Sequence, residues 1–483
     1  MTPEQTKRFK YWQWRTIIGT MIGYAIFYFV RKNFSFAIPG LTAEYGISKT
    51  TFGAIIAVVS LIYGISKLVN GFLADWINGR WHMVTGLAVS AVANLLFGAG
   101  AIVCAWYVGA DYGERFTYVL VAFFTVLLII NNIFQGCGFP PCNRLITHWV
   151  PPHELATKMS IWNTSHSIGA FIAALLCGYI MGHTGVDRSA DPEMVARITA
   201  NLGEGASAER LTNALQHVGA WQWTFWIPAL IAVLGVIFII VTLRDTPKSV
   251  GLPELGGTGQ KIEKSEDERR DHRRFLIERV IKNPIVWILA LGDFFVYVVR
   301  MAVLDWGPSF LQESRSLSPE MSAWTVAIFE VFGIIGMLAS GVISDRLFKG
   351  RAQRTCVFCM LGVIVFISIF CFLPASTNPV VLLFVLACAG FFLYGPQALI
   401  GVIASNQVTR RGASSANGII GFVSYLSPII SGFVFGKIAD NPAFGWEGVF
   451  RIMIFIALLG LVTMATLWNT KADGYEHDTA DAK

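Results

Sequence analysis

Residues 15–38 read RTIIGTMIGYAIFYFVRKNFSFAI. The stretch is long enough to cross a hydrocarbon core, which takes about 20 predominantly apolar residues. Yet it carries Tyr24, Tyr28 and Arg31 at i, i+4 and i+7, the spacing that stacks side chains on one face of a helix. A charge at the centre of a bilayer costs at least about 2.5–3.5 kcal/mol on insertion scales. An arginine on a tyrosine-lined helical face inside a span is therefore a candidate for function first.

Working outward, about eleven further apolar runs of spanning length follow, at roughly 50–74, 82–107, 116–143, 157–181, 219–243, 284–311, 319–344, 353–374, 379–405, 412–436 and 446–468. The chain is 54% hydrophobic and 14% charged, with a mean hydropathy of +0.57, too little charge for the surface of a soluble protein of this size. The expectation is an all-α polytopic membrane protein of twelve transmembrane helices in a lipid bilayer. The N-terminal residues are polar and basic and run into a full-length span without a small-residue cleavage site, so no removable signal peptide is expected. Lys and Arg collect in the N-terminal segment and in alternate loops, with Arg144 and Lys158, about ten basic residues between 244 and 282, Arg346 to Arg354, and Arg410 with Arg411. Those loops are expected to be cytoplasmic, together with both termini, in what would be a bacterial inner membrane. The net charge of +6 is thus explained by topology rather than by nucleic acid. The eight cysteines fall mostly inside spans and read as small apolar residues, so neither disulfides nor a metal is expected.

The charge-dense segment 244–283 reads as a cytoplasmic linker. It divides the chain into an N-terminal segment 1–14, a six-helix half 15–243, a second six-helix half 284–468 and a tail 469–483. Tyr28 to Arg31 and Tyr297 to Arg300 share a Tyr-x-x-Arg pattern displaced by 269 positions, and Gly71 to Asp75 with Arg80 is echoed by Gly341 to Asp345 with Arg351 at nearly the same offset. Asp75, Arg80, Asp345 and Arg351 are the corresponding cytoplasmic loop motifs. Parallel repeats about an axis along the membrane normal, with the cargo site near midplane, are the major facilitator architecture.

In the seventh span Asp293, Tyr297 and Arg300 repeat the geometry of the first. Tyr63 and Lys67 form an i, i+4 pair, and Asn163 with His166 an i, i+3 pair. Glu330 in the eighth span reads as a charge partner for Lys67, and Asp293 as a further group for charge pairing; Lys32 and Asp305, nearer helix ends, could snorkel. Arginine keeps its charge and offers a planar fork matching phosphate oxygens two at a time, so two such forks point to a phosphorylated anion.

Tyr28-Phe-Val-Arg31-Lys32-Asn33-Phe34, Tyr63-Gly-Ile-Ser-Lys67, the run from Phe134 to Cys142, Trp162-Asn163-Thr-Ser-His166, Arg244-Asp-Thr-Pro247 and Asp305-Trp306 together resemble the organophosphate:phosphate antiporter family, from about Tyr24 to Trp446. The resemblance implies exchange of an organic phosphate ester (sugar phosphate, glycerol-3-phosphate or phosphoglycerate) for inorganic phosphate, without a cofactor. Arg31 and Arg300 match that family's phosphate-binding arginines. Lys67, His166, Tyr24, Tyr28, Tyr63 and Tyr297 match positions around them, and Tyr394 and Tyr425 are similar by local context. Ser167 and Ala170 depart from the family's fifth-span pattern. Asn417 and Ile420 stand where hexose-phosphate transporters carry an acid and a base, so they are the selectivity candidates. The loop at about 182–218 is longer than the family pattern. Two rival readings remain from the sequence: a membrane-embedded organophosphate sensor signalling to a partner kinase, and a proton-coupled organic-anion carrier titrating Asp293 or Glu330. No nucleophile and base lie together at a spacing that suggests an enzyme, and no Gly-x-x-x-x-Gly-Lys-Ser/Thr run occurs.

Overall fold

A computed structural model describes residues 2–74, 77–109, 113–203, 206–253, 270, 274–374 and 376–470. The described residues are helical apart from connections and one isolated bridge between Val186 and Val218. Among the described residues, eleven stretches are long and apolar enough to cross a membrane. The expected span at 15–38 lies within α1 (Pro3–Tyr45), whose length suffices, but Tyr24, Tyr28, Arg31, Lys32 and Asn33 dilute its hydropathy.

Helix α1 includes most of the polar N-terminal segment. Thr2 accepts from the backbone N–H of Gln5 while the Gln5 side chain returns to the Thr2 N–H, a capping box with Pro3 in the first turn. At the other end Gly46 adopts φ 64°, a left-handed conformation that glycine tolerates without a Cβ penalty. The first half continues with α2 (Lys49–Ala74), α3 (Gly79–Gly98), α4 (Gly100–Val108), α5 (Glu114–Gln135), α6 (Phe139–Trp149), α7 (Pro152–His183), α8 (Pro192–Leu202), α9 (Ala208–Gln216) and α10 (Ala220–Thr242). The second half has α11 (Pro284–Arg315), α12 (Pro319–Arg346), α13 (Ala352–Phe372), α14 (Pro379–Ser424), a π-helical stretch (Ile429–Val434), α15 (Phe435–Ala439) and α16 (Gly445–Thr466).

The runs 379–405 and 412–436 were expected as two spans with a loop at Arg410 and Arg411; the connection is instead helical throughout α14. It still reverses direction. Asn417 Nδ2 lies 3.2 Å from Ser405 Oγ, whereas twelve residues of straight helix would separate them by about 18 Å.

The chain forms two compact units. One comprises Met1–Ser48, Val58–Gln260 and Pro308–Ala327; the other comprises Lys49–Ala57, Lys261–Gly307 and Ile328–Lys483. In the first, Asn33 Nδ2 donates to Asn94 Oδ1 (2.7 Å) and to the Thr224 carbonyl (2.9 Å), while Asn94 and Asn131 both donate to the Val30 carbonyl. This buried network ties α1 to α3, α5 and α10 one turn from Arg31, and in apolar surroundings such donors must be satisfied internally. Asp245 accepts from the Gly79 N–H at the start of α3 (2.7 Å) and pairs with Arg144 (3.2 Å), which gives the Arg244-Asp-Thr-Pro247 motif a structural role. In the second unit, an apolar core of Leu289, Ile403, Ile420 and Met464 joins α11, α14 and α16, and Asp440 accepts from the backbone N–H groups of Lys49 and Thr50. Asp75, residues 254–269 and 271–273 of the linker and the tail from 471 lie outside the described residues. Arg80 lies over its neighbour Trp81, and Asp345 and Arg351 are exposed around the turn between α12 and α13.

Candidate substrate site

Each unit carries one arginine among tyrosines. In the first, the Arg31 guanidinium lies 3.8 Å from the centre of the Tyr63 ring and 5.6 Å from that of Tyr28. The helical spacing that placed Tyr24 next to Tyr28 brings their rings to 5.6 Å, edge to face. Tyr24 stacks on Trp162 at 5.1 Å, and Phe139 packs edge-on against both. Lys67 Nζ lies 4.9 Å from the Phe139 ring centre. The His166 ring packs at 6.2 Å from Tyr28, with Nδ1 against the carbonyl of Asn163. That carbonyl accepts only if Nδ1 carries the proton, which leaves Nε2, 3.5 Å from Ser167 Oγ, as the ring's acceptor when neutral. The Asn163 side chain is exposed, and its backbone oxygen is what meets His166. The structure therefore brings Tyr24, Tyr28, Arg31, Tyr63, Lys67 and His166 into one aromatic and cationic wall. Trp162 and Phe139 belong to it as well; both stood within quoted motifs, but large apolar side chains in a span give no signal that separates lining from packing.

In the second unit Arg300 is buried, 6% exposed. Its Nε donates to Tyr394 Oη (2.9 Å), its guanidinium reaches Glu330 Oε1 (3.4 Å), and the Tyr394 hydroxyl donates to that same carboxylate oxygen. Tyr297 lies under the guanidinium at 5.9 Å and meets Tyr425 edge to face. Glu330 was expected as a partner for Lys67; its carboxylate instead engages Arg300 and Tyr394. The reason is geometric: α12 and α14 place Glu330 and Tyr394 against the α11 face that carries Arg300, a rotation no local spacing encodes. Asp293 takes a hydrogen bond from Ser424 on α14, so the polar face of α11 divides between two partners. Asp305 is buried within α11 rather than snorkelling. Asn417 and Ile420 part company: Asn417 is exposed and bonded to Ser405, whereas Ile420 is 4% exposed in the apolar core.

A planar guanidinium fork over tyrosine rings, as at Arg31, or bonded to a tyrosine hydroxyl, as at Arg300, can bind a multivalent oxyanion. Residues 20–432 match the Major Facilitator Superfamily. The chain belongs to that superfamily. Within it, the curated relatives place the facilitator in the organophosphate:phosphate antiporter family. It is 34% identical over 461 residues to the glycerol-3-phosphate transporter of Bacillus subtilis strain 168, covering 94% of this chain and 92% of that one. It is 31% identical to the "Probable hexose phosphate transport protein" of Chlamydia trachomatis serovar D, covering 96% and 92%. Among solved structures, a bacterial homolog of the human lysosomal transporter Spinster, inward-facing and unoccupied, superposes with a TM-score of 0.67 at 15% identity, covering 97% of the facilitator and 98% of that chain. That likeness concerns the fold. The facilitator is thus an integral, multi-pass transport protein and not an enzyme.

Proposed function

We propose that the chain exchanges an organic phosphate ester for inorganic phosphate by alternating access, in a bacterial inner membrane with both termini cytoplasmic. The halves 15–243 and 284–468 move against each other about the linker 244–283. Arg31 and Arg300 hold the phosphoryl group, and Lys67, His166 and the tyrosines line the rest of the site. One observation carries the reading: the buried Arg300 fork engages Glu330 and Tyr394. A buried guanidinium needs an anion, and here a carboxylate of the protein supplies one. A phosphate dianion offers more charge and three acceptor oxygens, enough to compete for the same fork. The relatives named for glycerol-3-phosphate and hexose phosphate support the cargo class. The concentration of Lys and Arg in alternate loops supports the orientation.

The test is uptake of labelled glycerol-3-phosphate, hexose phosphate and phosphoglycerate by the purified protein in vesicles loaded with phosphate. Uptake that depends on internal phosphate is expected for at least one ester. Binding without exchange would support a sensor, and uptake driven by a pH gradient with no need of internal phosphate would support a proton-coupled carrier.

A further inference from the structure

The segment 182–218 is a folded cap. Leaving α7, the chain pairs Val186 N–H with the Val218 carbonyl and Arg188 N–H with that of Leu215, both at 2.9 Å. Asp191 then caps α8, which has Pro192 at its first position, and Ser207 caps α9. Ile198 and Leu215 are buried against Ala43 of α1, with Met194, Val195 and Leu211 around them.

The cap grips two helices differently, all within the first compact unit. At the end of α1 the hold is an apolar core reinforced by a hydrogen bond from Asn201 to the Ala43 carbonyl (3.0 Å), and by Glu44, which accepts from the Gly219 N–H (2.6 Å) and from Trp221 Nε1 (3.1 Å). At the end of α11 the described hold includes two side-chain contacts: Arg210 pairs with Glu313 at 3.3 Å, and the hydroxyls of Ser207 and Ser316 meet at 2.9 Å. The first grip buries apolar surface and backbone groups, whose exposure is costly. The second is an ion pair and a hydroxyl pair, whose net worth is small enough to break and re-form during turnover. The stretch Pro308–Ala327, which links α11 to α12, groups with the first unit rather than with the rest of its own half, and Gly178 of α7 packs so closely on it that a Cβ there would meet Ala323 at 2.1 Å.

We propose that the α8–α9 cap is a latch, anchored on α1, that fastens the end of α11 through Arg210–Glu313 and Ser207–Ser316, and that it must release α11 for the carrier to open on that face. The inference rests on the alternating-access reading above.

The experiment is the double substitution Ser207→Cys with Ser316→Cys in the full-length chain, reconstituted in phosphate-loaded vesicles. Oxidation should form a disulfide and abolish ester:phosphate exchange, and reduction should restore it, while wild type and the two single variants are indifferent to the oxidant. Complete cross-linking with exchange unchanged, or no cross-linking of two groups placed this close, overturns the latch. The second arm is charge reversal. Arg210→Glu should change the exchange rate by about threefold, the scale of one partly buried ion pair, and Glu313→Arg in the same chain should bring it back; equal rates for wild type and both single reversals count against the proposal. Absence of exchange in wild type would instead remove the transport reading, since cross-linking reports the contact independently.

Discussion

Arg300 is gripped so fully that the chemistry of its side chain, and not its charge alone, is at stake. Its Nε bonds Tyr394 while the other side of the fork reaches Glu330. A lysine keeps the charge but cannot direct donors along both lines. Arg300→Lys is therefore expected to lower ester:phosphate exchange by roughly 10- to 100-fold, the loss of about one charge-assisted hydrogen bond, with insertion unaffected. Arg31→Lys should behave likewise, since an ammonium cannot lie across the Tyr63 ring as a planar guanidinium does. Near-normal exchange rates in both variants would make these arginines structural. Glu44, beyond the membrane-crossing part of α1, supplies a different residue-scale test. Burial pushes its carboxyl up from 4.5 to about 7, against the opposing pull of hydrogen bonds from Gly219 and Trp221 and of Arg197. Between those values the unfolded chain has released a proton that the folded chain retains. The contribution of Glu44 is thus fully present below pH 4.5 and is lost as pH rises to about 7, above which it is level. Thermal unfolding in detergent at a series of pH values should show that decline in wild type and a shallower one in Glu44→Gln; identical slopes would remove Glu44 from the account.

At the scale of the helix, close crossings depend on residues without side chains. A Cβ on Gly336 of α12 would stand 1.8 Å from the carbonyl oxygen of Phe391 on α14, and a Cβ on Gly390 of α14 would stand 2.3 Å from that of Phe329 on α12. The two helices approach backbone to backbone at reciprocal glycines, as membrane helices do where packing rather than hydrophobic transfer holds them. This crossing also delivers Tyr394 and Glu330 to Arg300. Gly336→Ala should cost about 1–3 kcal/mol by overpacking, and it should weaken phosphate binding as well because it spreads the triad. A variant as stable as wild type in detergent would mean that α12 and α14 can part without cost. Such crossings mark what was legible in the sequence. Apolar run length located the spans, and helical spacing grouped Tyr24 with Tyr28 and Arg31, because both depend only on neighbours along the chain. The partner of Glu330 and the burial of Ile420 were not legible, since each depends on how one helix is rotated against another; the reversal between Ser405 and Asn417 was, but not that its connection is helical. The segment 182–218 hid its fold for another reason. Its helices are short, marginal in isolation, and pack against Ala43 and the end of α1.

For the molecule as a whole, the charges of the site bear on why exchange should be coupled. Closing an anion site removes water from its cationic side chains, and dehydrating each such ion costs several kcal/mol unless a counter-charge accompanies it. A bound phosphate, with a charge of about −1.5 to −2 near neutral pH, provides that counter-charge, so the loaded carrier should reorient more readily than the empty one. Glu330 moderates the difference. By pairing with Arg300 it neutralises one cation of the site, which on the proposed exchange should lower the barrier for a carrier without cargo. Glu330→Gln removes this internal anion and leaves an isostere that can still accept from Tyr394. The empty carrier becomes more cationic and should reorient more slowly, while the loaded carrier, whose phosphate occupies the Arg300 fork, is affected less. The ratio of phosphate-dependent exchange to net ester flux into unloaded vesicles is therefore expected to rise in Glu330→Gln, by about tenfold if the pair contributes near 1.4 kcal/mol to the empty state. A fall in that ratio would show that Glu330 acts on the loaded carrier, holding cargo or a proton rather than standing in for the anion.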